Sequence, residues 1–439
     1  MTYLLTYKKR CFRMYSGEVN DLIREFSKLI IDVDMFEDKI EKCKTWNVFF
    51  LCSGYPEIIF YILEARELNN DLNWNKALKE YIKRFRSNLY VSEPYLNQGS
   101  GILNGYCGIG YMLLYLSKYG VNVEKALNSV NRRVKIVLEK KLESAKNNIK
   151  SNKVHYSDYD VIEGLSSSLR YLLEFKNLSI FKDLINEIIS YLIEITKTNN
   201  SKYPNYYIRA DKVRDSGRSK RCPNGFVDFG AAHGIAGILS VLSIALSNRI
   251  KVEGIEKSIE TLLNKFNQFM IVDGKISYWP GILGIEDYLN NTKGVNYNKY
   301  GWCYGTSGIT RAIYLAGQAL DEKKYKDVAI NILSDFCRNI NNADVNGYSL
   351  CHGYSSILLV LNEMYADTDV GLFKETSDII ADKIVKDIRM DEILNFKEDK
   401  VNLAQNNIGI LDGIIGIIFS LINYSDKNRN LVSKIMCIK

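Results

Sequence analysis

Apolar residues recur along this chain at the spacing of an amphipathic helix, and several of these runs start beside a glycine. The same i, i+3, i+4, i+7 order follows Gly305 and Gly413. It is clearest after Gly234, where the apolar positions are Ile235, Ile238, Leu239, Leu242 and Leu246. This period indicates helices with one buried face. We therefore expect a buried helix to open at each of these glycines.

Seven glycine-centred motifs of this kind lie between 48 and 71 residues apart. Recurrence at a period of this length is typical of repeat architectures. The seven motifs are Cys52-Ser53-Gly54-Tyr55, Tyr106-Cys107-Gly108-Ile109, Ile162-Glu163-Gly164-Leu165, Ala232-His233-Gly234-Ile235, Cys303-Tyr304-Gly305-Thr306, Cys351-His352-Gly353-Tyr354 and Leu411-Asp412-Gly413-Ile414.

A second helix fits into the gaps between motifs. Two such segments carry the helical period with polar residues on the opposite face: Val328, Ile332, Leu333, Phe336, and Ile255, Ile259, Leu262, Leu263, Phe266. Each repeat is thus predicted to pair an apolar inner helix with a more polar outer one. Seven pairs that close into a ring would make an all-α protein, an α/α toroid (barrel) of seven inner and seven outer helices. An open solenoid satisfies the same pattern.

Two of the gaps are longer than the others, and their extra length falls in 196–228 and 271–301. These segments hold three of the five prolines and many Tyr and Asn residues, so we predict extended loop insertions there. They precede His233 and Cys303, and loops in such places are expected to shape a substrate cleft. No linker or low-complexity stretch separates domains. We predict one domain over residues 1–439 with these two insertions.

Composition places the chain among folded soluble proteins, with 46% hydrophobic and 25% charged residues. No stretch of 18 uncharged apolar residues occurs, and the N-terminal segment lacks the apolar core of a signal peptide. The 9 Cys residues are scattered through a long chain, unlike a disulfide scaffold. We therefore expect reduced thiols, no membrane span and a cytoplasmic location, with membrane association only through partners.

The net charge of +7 is a mild excess for a chain of 439 residues. It permits an acidic partner and gives no reason to expect nucleic acid. One basic cluster stands out locally, formed by Arg209, Lys212, Arg214, Arg218, Lys220 and Arg221. A solvated loop and a contact surface for an acidic peptide segment both explain this cluster.

The candidate chemistry rests on the scarcity of histidine, of which the chain has only 3. One of them, His352, directly follows Cys351, and this pair comes 48 residues after Cys303 in a matching glycine setting. Two thiolates and one imidazole bind zinc and leave a fourth tetrahedral position open, as in catalytic zinc sites. His233 lies in a related motif and has the side chain best suited to proton transfer near neutral pH. A buried apolar thiol is the alternative for Cys303.

The ordered set Ala232-His233-Gly234, Trp302-Cys303-Tyr304-Gly305 and Cys351-His352-Gly353, carried on seven double-helix repeats, resembles the LanC family of lanthipeptide cyclases. The resemblance covers nearly the whole chain. It implies an α/α toroid with Zn²⁺ at one end of the central cavity. It also implies an enzyme that adds Cys thiols of a dehydrated precursor peptide, leader plus core, to dehydroalanine or dehydrobutyrine. The products are thioether rings, and a dehydratase and an exporter are the implied partners.

By motif, the resemblance implies that Cys303, Cys351 and His352 are the zinc ligands. It implies that His233 is catalytic and that Asp160, in Asp160-Val161-Ile162-Glu163-Gly164, is important to catalysis. From the residue types alone, His233 is also suited to a structural helix start and Asp160 to an N-cap.

Two further residues complete the implied site. Tyr304 matches a tyrosine often found near the metal, and simple packing is its alternative. Lys299 stands four residues before Cys303, where the family commonly has Arg. Lysine keeps the charge and loses the planar fork of arginine. A role in charge support and a solvated loop position are both open for Lys299.

Three other functions fit parts of the pattern. The same scaffold also suits zinc-dependent addition of a small thiol, such as glutathione, to dehydrated residues in proteins, which a narrow cleft would favour. A non-catalytic peptide-binding scaffold is disfavoured by the intact set of metal donors. A glycosidase on an α/α barrel would need paired inner-face carboxylates, which the glycine motifs rarely supply.

Overall fold

The structure is a computed structural model, and it describes residues 2–40, 46–92, 99–198, 202–212, 220–294, 296, 299–388 and 408–439. Of residues 2–16 and 90–92 it describes the backbone alone. The described part is mainly helical. The first nine helices are α1 (Thr2–Ile31), α2 (Val33–Ile40), α3 (Tyr55–Ala65), α4 (Trp74–Ser92), α5 (Tyr106–Lys118), α6 (Glu124–Lys150), α7 (Tyr156–Tyr159), α8 (Leu165–Leu172) and α9 (Ser179–Ile195).

The second half continues the same pattern and adds four short strands. The helices are α10 (Ile235–Ser247), α11 (Ile255–Phe269), α12 (Ile285–Leu289), α13 (Thr306–Ala319), α14 (Lys323–Arg338), α15 (Tyr354–Thr368), α16 (Gly371–Asp387), α17 (Ile414–Ser425) and α18 (Leu431–Ile435). The strands are β1 (Phe226–Asp228), β2 (Ile271–Asp273), β3 (Ile276–Tyr278) and β4 (Ile282–Gly284).

The internal contacts of the chain divide it into two compact units. One comprises Met1–Leu96, Met112–Glu124 and Asp344–Val432. The other comprises Asn97–Tyr111, Lys125–Ala343 and Ser433–Lys439. The expectation of a single domain over the whole chain stays a prediction.

Six of the seven predicted inner helices begin directly after their motif glycine. Each glycine has an extended backbone and each helix is largely buried, as α10 is from Ile235 to Ala245. The sequence pattern is confirmed at these positions, because the apolar period sets the buried face. The six pairs are Gly54 with α3, Gly164 with α8, Gly234 with α10, Gly305 with α13, Gly353 with α15 and Gly413 with α17.

The expectation for the second motif was wrong by three residues. Helix α5 begins at Tyr106, so Gly105 opens it and Gly108 lies in its first turn. The Gly108 N–H donates to the Gly105 carbonyl at 3.0 Å. Gly237 donates to Gly234 in the same way at 3.2 Å. Several repeats therefore carry two glycines three residues apart, and the sequence pattern alone did not tell the opening glycine from the second one.

In the second unit, the inner helices α8, α10 and α13 pack side by side in chain order, and α9, α11 and α14 pack on their outer faces. The loops before these inner helices are joined by backbone hydrogen bonds. Val161 N–H donates to the Ala232 carbonyl at 3.0 Å, and Ala232 N–H donates to the Cys303 carbonyl at 3.3 Å. The loops that carry Asp160, His233 and Cys303 are thereby held next to one another.

In the first unit, the last inner helix meets the first one. Helix α17 packs against both α15 and α3, while α1 covers α17 on the outside. The motif loops are again joined by backbone groups: Cys351 N–H donates to the Leu411 carbonyl at 2.8 Å. Ile410 N–H donates to the buried Glu57 carboxylate at 2.9 Å. The N-terminal helix thus supplies the outer partner for the last inner helix.

The two insertions contain short strands where we expected loops. Strand β1, from the first insertion, pairs antiparallel with β4 from the second, and β2 and β3 form a hairpin. Pairing the insertions with each other satisfies backbone groups that would otherwise be buried without partners. Strand β1 ends at Asp228, whose carboxylate accepts the Gly230 N–H at 2.8 Å. This turn leads the chain directly into His233.

The glycine three residues after the helix-opening glycine should matter for stability, and Gly416, which follows Gly413 in this way, tests this. A Cβ there would overlap the Ile410 carbonyl and come within 2.9 Å of Leu350 Cβ. We expect Gly416→Ala to lower the free energy of unfolding by about 1–3 kcal/mol because the core is overpacked. Urea denaturation followed by circular dichroism measures this change.

The matched control is Gly371→Ala in the first turn of α16, where a Cβ meets nothing within 4 Å. Alanine is the better helix former by roughly 1 kcal/mol, so this variant should be unchanged or slightly more stable. Equal stability of both variants would contradict the close packing at Gly416.

Candidate active site

A short hydrogen bond joins His233 and Asp160 in the candidate site. His233 Nδ1 lies 2.6 Å from Asp160 Oδ2. Asp160 is 0% exposed, whereas the His233 side chain is 24% exposed. A carboxylate accepts hydrogen bonds, so the Nδ1 proton is directed to Asp160 and Nε2 is left as the reactive nitrogen. The structure brings together these two residues that the sequence singled out.

Asp160 also holds its own loop in place. Its other oxygen, Oδ1, accepts hydrogen bonds from Glu163 N–H and Gly164 N–H, both at 2.7 Å. These donors stand just before α8, so one carboxylate oxygen caps the loop while the second binds the imidazole. The N-cap of α8 is Gly164, so Asp160 is not the N-cap residue, although its Oδ1 binds the backbone N–H groups just before that helix.

A short helix, α7, supports this pair from the preceding segment. His155 is its N-cap, with Nδ1 accepting Ser157 N–H at 3.2 Å, and Asp158 Oδ2 accepts His155 N–H at 3.0 Å. The ring of Tyr156 lies 4.9 Å from the ring of His233. His155 is not among the candidate residues that the sequence singles out. Histidine is an unusual cap, so the sequence carried little signal for this one.

Tyr304 and Lys299 form the other side of the histidine environment. The Tyr304 ring centroid is 6.3 Å from that of His233, and Lys299 Nζ lies 5.3 Å from the Tyr304 ring centroid. Tyr304 is half-buried and packs on Gly281, where a Cβ would be 3.1 Å from Tyr304 Cβ. Lys299 is exposed and keeps its charge above the tyrosine face, a cation–π arrangement.

Cys303, Cys351 and His352 form a group of possible metal ligands. One donor atom from each lies within 4.8 Å of the other two. Two ligands of one zinc ion are separated by roughly 3.5–4 Å, given bond lengths of about 2.0–2.3 Å. The two sulfurs and one imidazole nitrogen are the soft donors that zinc accepts. The donor types and their spacing are therefore compatible with a bound zinc ion.

The surroundings of His352 include a carboxylate that sequence reasoning missed. His352 Nδ1 lies 3.9 Å from Asp412 Oδ1, an oxygen that is buried without a hydrogen-bond partner. Burial raises the pKa of Asp412, and the nearby His352 opposes that rise. The signal was present in the seventh motif, where Asp412 directly precedes Gly413.

Four of the other described thiols have the environment of structural cysteines. Burial raises the pKa of Cys52 to about 12, with Glu57 adding to the effect. Burial likewise raises the pKa values of Cys107, Cys222 and Cys437. These thiols stay protonated near neutral pH, which suits neither metal binding nor nucleophilic attack. Cys43 and the side chain of Cys11 lie outside the described residues.

The basic cluster is described only in part. Arg209 pairs with Asp211 at 2.8 Å on the surface. Arg214 and Arg218 lie outside the described residues, so an acidic-peptide contact there stays a prediction. Among the described helices, none has the length and apolar character needed to cross a bilayer.

Comparison with known proteins decides the family. The profile of the lanthionine synthetase C-like proteins matches residues 45–437. The chain belongs to this LanC-like family. The resemblance seen in the three glycine motifs is thereby confirmed.

Two relatives extend the comparison. The LanC-like chain is 28% identical over 338 residues to the nisin biosynthesis protein NisC of Lactococcus lactis subsp. lactis, covering 76% of this chain and 78% of NisC. The solved structure of a nisin cyclase superposes with a TM-score of 0.81 at 24% identity, covering 95% of this chain and 98% of that one. This likeness confirms the predicted all-α fold class, the α/α toroid.

Metal content tests the donor set of the LanC-like chain. Replacing Cys303 or Cys351 with Ala removes one of three donors, so stoichiometric zinc should be lost. Elemental analysis of the purified variants measures this. Cys222→Ala is the matched control, because Cys222 is also buried but belongs to no metal-ligand group in the described residues. One zinc per chain in either donor variant would refute the ligand set.

Proposed function

We propose that this chain is a zinc-dependent lanthipeptide cyclase. It adds Cys thiols of a dehydrated precursor peptide to dehydroalanine or dehydrobutyrine, forming lanthionine and methyllanthionine rings in lantibiotic biosynthesis. The observation that carries the proposal is the grouping of Cys303, Cys351 and His352 within 4.8 Å in a LanC-like chain. The naming of its relatives for nisin biosynthesis and cyclisation supports the same reaction.

The three donors would hold zinc with its fourth position open. Bound there, zinc would supply the charge that ionises a substrate thiol, since only the thiolate is nucleophilic. Two protein thiolates in the donor set leave the metal a weaker Lewis acid than three imidazoles would. This donor set therefore favours a sulfur nucleophile that stays reactive.

His233 is the proposed acid that completes the addition. Attack of sulfur on the β-carbon breaks the carbon–carbon double bond and leaves an enolate, which needs a proton at the α-carbon. Asp160 engages Nδ1 of His233, so the proton would come from Nε2. The Asp160 carboxylate also stabilises the imidazolium, which would form when Nε2 takes up the proton that the substrate thiol gives up.

Lys299 and Tyr304 are proposed to act on the oxygen of the enolate. Lys299 Nζ lies over the Tyr304 ring, and this ring is close to His233. A fixed positive charge near a developing oxyanion lowers the barrier to its formation. Lysine suffices for this role because it needs charge and no bidentate contact.

The proposal includes partners and a location. The precursor peptide, with leader and core, is the substrate, and a dehydratase must supply the dehydrated residues before the cyclase acts. An exporter would remove the product. We place the reaction in the cytoplasm, where thiols stay reduced, and treat residues 1–439 as one catalytic domain. The paired His233 and Asp160 disfavour a non-catalytic scaffold.

The decisive experiment follows thioether formation with a dehydrated Cys-containing precursor peptide. Unreacted thiols are alkylated and counted by mass spectrometry, with glutathione present in a parallel reaction. We expect ring closure without glutathione adducts. His233→Asn should keep its zinc and slow ring closure by about 10²–10⁴-fold, the usual contribution of a general acid. Adducts without rings would favour the small-thiol function, and unchanged closure by His233→Asn would discard its role.

Substitution of Lys299 separates charge from hydrogen-bond geometry. Lys299→Gln should lower kcat with little change in zinc content, because charge near the oxyanion is lost. Lys299→Arg should keep most of the activity. Steady-state kinetics with the precursor peptide measure both, and the exposed Lys275→Gln serves as the control. Wild-type kcat in Lys299→Gln would assign Lys299 to a solvated loop role.

A further inference from the structure

Lys141 is a half-buried lysine of the second unit to which the proposed reaction assigns no role. Lys141 lies on α6, and its Nζ donates to the Glu163 carbonyl at 2.7 Å. Glu163 in turn donates its N–H to Asp160 Oδ1. Lys141, on α6, therefore binds the same short loop to which Asp160 is hydrogen-bonded.

The charges around Lys141 centre on this loop. Burial lowers the pKa of Lys141, and the opposing attractions are led by Asp160, followed by Glu163, Asp158 and Cys107. The charge of Asp158 is already engaged by Asn148 Nδ2, at 3.0 and 3.1 Å, and by the His155 N–H. Among these carboxylates, that of Asp160 therefore attracts the positive charge of Lys141 most strongly.

Two groups that can carry positive charge lie near Asp160. Lys141 approaches through the Glu163 carbonyl on one side, and His233 binds Oδ2 on the other. Tyr156 and Tyr304 also lie beside His233, with Lys299 above the Tyr304 ring. A lone buried carboxylate would hold an imidazolium tightly, because nothing else would neutralise it. A second cation near the same carboxylate, bound to the adjoining Glu163 carbonyl, weakens that hold.

We propose that Lys141 is a positioning residue for the Asp160–His233 pair: it ties down the 160–164 loop and shares the negative charge of Asp160. His233 can then release its proton to substrate instead of keeping it. The catalytic meaning of this inference rests on the proposed cyclase function. The effect of Lys141 on the 160–164 loop and on His233 does not depend on that function.

A neighbouring residue supplies the control. Lys140 and Lys141 both line a groove of about 670 Å³ beside Ser157 and Asp158. Lys140 is exposed and forms no described hydrogen bond with the 160–164 loop. If the lysines merely attract an acidic peptide into this groove, both substitutions should act alike. If Lys141 positions the pair, only its own substitution should matter.

The test uses the small number of histidines in the chain. With 3 His residues, the imidazole resonances of the zinc-loaded protein can be followed by NMR across pH, and His233→Gln assigns one of them. Removing the charge of Lys141 leaves the imidazolium as the main counter-charge of Asp160. We therefore expect Lys141→Met and Lys141→Gln to raise the titration midpoint of His233 by about half a pH unit or more. Lys141→Arg and Lys140→Met should leave it unchanged.

Glutamine at position 141 separates the tether from the charge. Lys141→Gln keeps a donor for the Glu163 carbonyl, so it should fold and melt close to the wild type even if Lys141→Met does not. In cyclisation assays we expect Lys141→Gln to lower kcat, with KM for the peptide unchanged and the alkaline limb of the pH profile moved to higher pH.

Two outcomes would overturn the inference: an unmoved His233 titration in Lys141→Gln, or equal effects of Lys140→Met and Lys141→Gln on KM alone. The resonance shift without any cyclase activity in the wild type would instead sink the proposed function and leave the role of Lys141 intact.

Discussion

The site depends on a carboxylate buried without access to water, that of Asp160. Burial of a charge is costly unless every oxygen has a partner, and here two backbone N–H groups take one oxygen while His233 takes the other. The imidazole is therefore aimed by the fold and not by its own rotamer preference. Loops, normally the variable part of a protein, are held in place here by hydrogen bonds to Asp160 and to one another.

Paired glycines make this arrangement possible. Where a second glycine follows the opening one, the helix approaches the preceding loop so closely that a methyl group would collide with a backbone carbonyl, as at Gly237 and Gly308. Close approach lets neighbouring motif loops exchange hydrogen bonds, such as Ala232 with Cys303. The chemistry-bearing residues sit in those loops. The close packing at the start of these helices therefore also positions the side chains of the site.

Sequence alone could predict much of this because two signals were strong. The apolar period fixed which helix faces are buried, and rare histidines in glycine motifs marked the candidate site. It could not separate Gly105 from Gly108, since both suit a helix start. It also missed the strands of the insertions, whose partners lie far away in sequence, and the proximity of Asp412 to His352. Contacts made between repeats leave no local period to detect.

Helix α1 packs on α17, and the two are separated by almost the whole chain. During synthesis, the apolar face of α1 is made long before α17, on which it packs. Until then this face is exposed on the nascent polypeptide, and the early segments cannot reach their final arrangement. Folding of this protein therefore competes with aggregation until synthesis is complete. Chaperones that shield helix α1 would raise the yield of folded protein.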